Sequence, residues 1–216
     1  MIPDVSLDGV SMFSLGWLRE SIDFPTPQSQ TNTITVPGRN SPIRFTEALG
    51  QVSYKPRSFS ITLSMLGTRE RFNSMVTVLV NKYAGQLTKV ILSEDPELYA
   101  IGTLELEPSY DPLTGKGQMV FSCSDGDAYR YHTEETAVTV TGGGTMTLSN
   151  DAMPAVPEII VTAETALSWT AGGDSFQKSL SAGTWTIPEL ELAAGDNSIA
   201  ITTEGSVTFR YREGRL

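Results

Sequence analysis

From Arg57 to Leu66 the chain alternates strictly. Phe59, Ile61, Leu63 and Met65 fall on one side, and Ser58, Ser60, Thr62 and Ser64 on the other. A period of two predicts a strand with one face on a core and the other covered in small hydroxyls. Thr31 to Val36 repeats the pattern more weakly, with Ile34 and Val36 between Thr33 and Thr35. Pro37-Gly38-Arg39-Asn40-Ser41-Pro42 then breaks it with turn chemistry, and Ile43 to Ala48 resumes extended chain. Ahead of them, Pro25-Thr26-Pro27 forbids helix and reads as an extended loop.

The period changes to three or four over Thr68 to Tyr83. Phe72, Met75, Val76, Leu79 and Tyr83 form one stripe, with Arg69, Asn73, Thr77 and Asn81 opposite. Thr68 is the expected N-cap, Glu70 suits the positive end of the dipole, and Lys82 with Gly85 marks the stop. No other stretch predicts a helix of this strength. Thr88 to Leu92, Tyr99 to Pro108 and Gln118 to Ser124 read as strands of an antiparallel meander. The turns between them are Ser93 to Glu97 and Tyr110 to Gly117.

Beyond residue 132 every candidate element is a short strand. These are 136–140, 145–148, 158–162, 167–170, 176–180, 184–187, 197–202 and 207–211. Polar turns at Ala171-Gly172-Gly173-Asp174, Ser181-Ala182-Gly183 and Ala194-Gly195-Asp196-Asn197 separate several of them. Such spacing predicts a small sandwich or jelly roll. The expected organisation is therefore mainly β. Residues 1–132 form an antiparallel sandwich or barrel with one helix and a long hairpin, Thr31 to Met65, and residues 133–216 form an all-β sandwich. Asn150 to Pro157 is either the linker or a turn inside the second domain.

Charge sharpens the division and narrows function. The chain carries 15 basic and 25 acidic side chains, net −10. Residues 1–132 hold 11 and 14, and residues 133–216 hold 4 and 11. An acidic chain lacks the positive field that phosphate-driven nucleic-acid binding uses. No window of 18 apolar residues predicts a membrane span, and Met1-Ile2-Pro3-Asp4 does not open a signal peptide. One cysteine excludes an intrachain disulfide and any multi-cysteine zinc site.

Candidate chemistry is sparse. Cys123 sits in Met119-Val120-Phe121-Ser122-Cys123, alternating with Val and Met as a small strand residue, and His132 ends an aromatic strand after Tyr129-Arg130-Tyr131. No nucleophile motif surrounds either, so no enzyme activity, cofactor or metal is expected. Asp125-Gly126-Asp127 and Ser93-Glu94-Asp95-Pro96-Glu97 are too poor in local oxygen ligands for calcium and read as turns. Arg39, Arg44, Lys55 and Arg57 make a basic patch in an acidic chain. It is either a solvated face or a contact with an acidic neighbouring subunit. Trp169 and Trp185 are either core residues or an aromatic platform for sugar.

The order of these pieces resembles a known family. A Pro37-Gly38-Arg39 turn follows a Thr/Ile/Val strand, and a long strand containing Phe59-Ser60-Ile61-Thr62-Leu63 comes after it. The single helix, Gly85-Gln86-Leu87, and Leu92-Ser93-Glu94-Asp95-Pro96-Glu97-Leu98-Tyr99 follow. The chain closes on Val207-Thr208-Phe209-Arg210-Tyr211-Arg212-Glu213-Gly214-Arg215-Leu216. This resembles the distal tail (Dit) protein family of long-tailed, non-contractile bacteriophages. The resemblance implies a virion structural protein: a homo-hexameric N-terminal ring with a galectin-like C-terminal sandwich outside it. The ring would join the tail tube protein to a trimeric tail-tip hub, with the tape measure and receptor-binding proteins as further partners. DNA would meet it only in transit during ejection. The hairpin would then be an arm around the next subunit, with Arg39 and Arg44 at its contact. A tube or baseplate subunit of a related injection machine, or a stand-alone carbohydrate-binding module, are the alternatives.

Overall fold

The structure is a computed structural model that describes residues 2–31, 33–38, 40–44 and 52–216. The chain divides into two compact units, Met1–Ala128 and Tyr129–Leu216. Composition alone places the division slightly later, at 132/133.

The first unit opens with a hairpin, β1 (Val5–Leu7) and β2 (Val10–Ser11), closed by Asp8 and Gly9. Both turn residues have positive φ, 48° and 79°, as the two-residue turn between right-twisted strands demands. β3 (Leu18–Asp23) follows, then the short pair β4 (Thr33–Ile34) and β5 (Ile43–Arg44), then β6 (Arg57–Leu66). The helix α1 runs over Arg69–Tyr83. The Thr68 hydroxyl accepts from the Arg71 N–H, and the Ala84 N–H donates to Val80 O. β7 (Leu87–Leu92), β8 (Leu98–Thr103), β9 (Glu105–Asp111) and β10 (Lys116–Gly126) complete the unit.

These strands make two antiparallel sheets. One contains β2-β1-β7-β8, the other β3-β6-β10-β9. The alternating residues of β6 do what their period predicts: Phe59, Ile61, Leu63 and Met65 are buried and join Met119, Phe121 and Cys123 of β10 in the core. The helix adds Phe72, Leu79 and Tyr83 to the same core. Trp17, 1% exposed, meets Phe72 edge to face at 6.1 Å. At Gly117 the Phe72 ring of α1 comes close to β10. A Cβ there would stand 2.2 Å from the Phe72 ring.

The expected strand Tyr99 to Pro108 is in fact two. Leu104, fully buried, is the corner at which the chain leaves one sheet for the other. Its N–H donates to Gln86 O, and its carbonyl accepts from the Gly85 N–H. Alternation continues through the corner, so periodicity alone could not reveal it.

The second unit holds β11 (Arg130–His132), β12 (Thr136–Thr141), β13 (Gly144–Asn150), β14 (Glu158–Val161), β15 (Thr165–Ala171) and β16 (Asp174–Leu180). β17 (Gly183–Thr186), β18 (Gly195–Thr203), β19 (Ser206–Tyr211) and β20 (Gly214–Arg215) follow. Two four-stranded antiparallel sheets, β12-β19-β14-β17 and β13-β18-β15-β16, enclose a core of Leu148, Ile159, Leu167, Ile199, Ile201, Val207 and Phe209. This is a β-sandwich. β20 pairs with β11, so the end of the chain ties back to the start of the unit. Asn150 is buried and its amide donates to the carbonyls of Met153 (2.8 Å) and Leu192 (3.1 Å). The segment 150–157 therefore lies inside this unit, which β12 and β13 precede.

Candidate assembly surfaces

The sheet β3-β6-β10-β9 has one face on the core. The register assigns the other. Leu18 lies opposite Ser64, Ser21 opposite Thr62 and Asp23 opposite Ser60. Across the sheet, Ser64 faces Gln118, Leu66 faces Lys116 and Ser60 faces Ser122. On β9, Glu105, Glu107 and Ser109 stand beside Ser122, Val120 and Gln118. The outer face is thus a field of small hydroxyls with carboxylates on both margins.

One network crosses it. Glu20 is the extra residue at the irregularity between Arg19 and Ser21. Its carboxylate accepts from Lys116 Nζ at 2.6 Å and Gln118 Nε2 at 2.7 Å. The Lys116 bond chiefly, then that from Gln118, holds Glu20 below the usual carboxylate range. Both margins are edge strands. β3 carries that irregularity and β9 carries Pro108, two devices that keep an open edge from pairing indiscriminately.

Between β3 and β6 the chain makes an excursion. The Gln30 N–H donates to Ser53 O, and the Lys55 N–H to Gln28 O, both at 2.8 Å; Ser29 bridges Tyr54. Farther out, Thr33 pairs with Arg44 and Ile34 with Ile43. Ile34 and Val36 are 54% and 37% exposed. β6 itself sits inside the β3-β6-β10-β9 sheet, between β3 and β10.

The four basic candidates have different fates. Arg39 lies outside the described residues. The backbone of Arg44 is held in β5, and its side chain lies outside the description. Lys55 is exposed. Arg57 is 3% exposed and bonded within its own unit. Its Nη1 donates to Pro25 O at 2.7 Å, its Nη2 to Ala128 O at 2.8 Å, and its Cζ stands 5.0 Å over the Phe24 ring. Arg57 anchors the root of the excursion. Alternation contained the signal, because Arg57 shares the inward parity of Phe59 and Ile61.

The other candidates are resolved by burial. Trp169 is 6% exposed, stacks on Phe176 at 5.5 Å and donates to Glu189 O at 3.0 Å, so it serves the core. Trp185, on edge strand β17, is 39% exposed and donates to Ser181 O. A shallow cavity of about 580 Å³ on the β13-β18-β15-β16 sheet is lined by Thr145, Ser168, Thr170, Ser175, Asp196 and Ser198 among others.

Cys123 is buried beside Gly102, and burial is the main cause pushing its thiol up to about 11. It is a protonated thiol at neutral pH and a poor nucleophile. His132 Nε2 lies 3.0 Å from Asp151 Oδ2, which also accepts from Arg215 Nε at 2.7 Å. Asp125 lies in β10 rather than in a turn and accepts from the Thr103 N–H of β8 at 2.9 Å, and Glu94 pairs with Arg19. Among the described residues no three His, Cys, Asp or Glu side chains group as metal ligands.

The fold thus defines a two-unit antiparallel β protein whose described surface features include open sheet edges and exposed apolar turns. The Dit protein (gp 19.1) of phage SPP1, described as a paradigm of the hub adsorption apparatus in phages that infect Gram-positive bacteria, has this fold. The match covers 100% of both chains with a TM-score of 0.70 and 13% sequence identity. A de novo designed double-stranded β-helix covers 38% of the chain at 20% identity, but its TM-score of 0.25 carries no argument. No family model and no curated protein matches the sequence. The chain has the fold of a phage tail-hub protein.

Proposed function

We propose that the chain is a distal tail protein: a virion structural adaptor that forms a hexameric ring between the tail tube and the tail-tip hub. The single observation that carries this reading is the fold match over the whole of both chains. Agreement across both units of a two-unit protein is a stronger constraint than likeness of one common sandwich.

The surfaces support the reading. A ring closes through a heterologous contact, so each copy needs two different complementary patches. The hairpin between β3 and β6 supplies one candidate. Residues 25–56 carry Arg39, Arg44 and Lys55 against Glu47, whereas the remainder of the first unit is acidic. A basic arm against an acidic neighbour sets register and orientation. The outer face of β3-β6-β10-β9 suits the wall of a conduit. Its hydroxyls are short, and Asp23, Glu105 and Glu107 repel a passing phosphate backbone. The tube protein, a trimeric hub and DNA in transit are the partners this role implies.

Substitution of Arg39→Glu with Arg44→Glu tests the arm. The expected result is a folded protomer, with unchanged circular dichroism, that no longer assembles. Wild-type ring formation by the double variant refutes the arm contact. A tube subunit, the runner-up, would instead stack into long cylinders.

A further inference from the structure

In the second unit, β12 is an unguarded edge. It pairs with β19 along its whole length, from Thr136 beside Tyr211 to Thr141 beside Ser206, without an irregularity. Its other side bonds to no strand among the described residues. The strand reads Thr136-Ala137-Val138-Thr139-Val140-Thr141, rich in β-branched residues, with no charge and no proline. These are the features that let a free edge take up another strand. The remaining margins of this sandwich are better protected. β16 carries Asp174 and Lys178, and β17 is four residues long and ends just before Ile187-Pro188. β13 is uncharged as well, but Tyr211 Oη already donates to its Ser149 carbonyl.

The faces of β12 are also sorted. Val138 and Val140 pack on the sandwich core, while Ala137, Thr139 and Thr141 are exposed on the outer face. The Thr139 and Thr208 hydroxyls lie 2.8 Å apart on that face. Charge stands at one end of the strand alone. Glu134 and Glu135 precede it, and the Thr136 hydroxyl donates to Glu213 Oε1 at 2.6 Å. Gly142, Gly143 and Gly144 follow it.

We propose that β12 pairs antiparallel with β12 of a second copy, about a twofold axis at Thr139, so that two sheets become one. Register selects this arrangement. A strand joins without turning its apolar side to water only if residues of like parity stand opposite. Centring on Thr139 meets that condition: Val138 faces Val140 of the second copy, and Ala137 faces Thr141. Charge selects the direction. Antiparallel pairing sets Glu135 and Glu134 against Gly143 and Gly144 of the second copy, whereas parallel pairing would set the glutamates against themselves, which is destabilising. The surrounding unit is acidic, with 4 basic and 11 acidic side chains over residues 133–216, so copies meet best where charge is absent. One strand edge buries less than the roughly 800 Å² per partner of a stable interface, so the contact is weak and depends on concentration.

Cysteine cross-linking of the full chain tests the contact with or without rings. Directly opposite residues of an antiparallel pair stand about 5 Å apart at Cβ, near disulfide range. Thr139→Cys, oxidised by copper phenanthroline, should give on the order of fivefold more linked dimer than Thr184→Cys. Thr184 is exposed in the same row of the same sheet, at its opposite edge. Equal yields overturn the proposal. Register is read by mixing Ala137→Cys with Thr141→Cys, one of them carrying a size tag. The mixed dimer should exceed either self-linked dimer, and a mixed dimer no more abundant than these overturns the register. Adding Thr139→Lys to both chains should suppress the mixed dimer, because two ammonium groups then meet at the axis. Thr139→Lys on one chain and Thr139→Glu on the other should restore it. A yield indifferent to these charges overturns the contact. If β12 instead takes a strand of a different protein, copies of this chain will not link through Thr139→Cys, and the proposal fails.

Discussion

Replacing Arg57 by Gln separates an internal anchor from an intersubunit one. The guanidinium donates through Nε and Nη2 to Ala128 O, and through Nη1 to Pro25 O. It also caps the Phe24 ring, which packs at 5.0 Å from Phe59 in the core. Bonds from a charged donor contribute about 1.5–3 kcal/mol each, and acceptors left in a buried site add their own penalty. Glutamine is shorter and cannot reach both carbonyls. The expected loss is about 3–4 kcal/mol, a fall of roughly 10–15 °C in the midpoint of a unit this size. Trp17 reports on this unit alone once Trp169 and Trp185 are replaced by Phe, since the chain has three tryptophans. Urea unfolding followed by its fluorescence gives the change directly. A shift below about 0.5 kcal/mol, the ordinary size for a surface substitution, together with failed assembly, would refute the reasoning. Arg57 would then be giving its hydrogen bonds to a neighbour.

Three further outcomes follow from the geometry. Gly117→Ala puts a methyl group 2.2 Å from the Phe72 ring and should displace α1, lowering stability by about 2 kcal/mol; near-ultraviolet dichroism of Trp17 would record it. Asp151 is held below the usual carboxylate range by His132 first and Arg215 second. Its contribution is therefore complete above its unfolded value, near 3.9, and is lost as pH falls through the lower folded value, so Asp151→Asn should flatten the acid limb of second-unit unfolding. Cys123, with its thiol raised to about 11 and buried, should resist a disulfide reagent at pH 8 in the native protein and react at once in urea.

Much of this architecture was legible from periodicity. The helix α1, its Thr68 cap and the inward face of β6 follow from spacing, as do eight strands of the second unit. The stretch ahead of Phe24 was harder. β1 and β2 are three and two residues long, too short for a period, although Asp8-Gly9 between Leu7 and Val10 is a hairpin signal. β3 hides because Arg19, Glu20 and Ser21 interrupt its alternation, at the irregularity that lets Glu20 reach Lys116. Surface chemistry was least legible. Arg57 and Lys55 are close in sequence, yet one is buried and the other exposed.

The central claim is ring formation, and the mass of the purified protein tests it most directly. Light scattering across a concentration series, followed by imaging of the largest species, should give whole multiples of six times the 23.4 kDa chain mass, and ring-shaped particles with an open centre. A species of 23.4 kDa at every concentration would contradict the account.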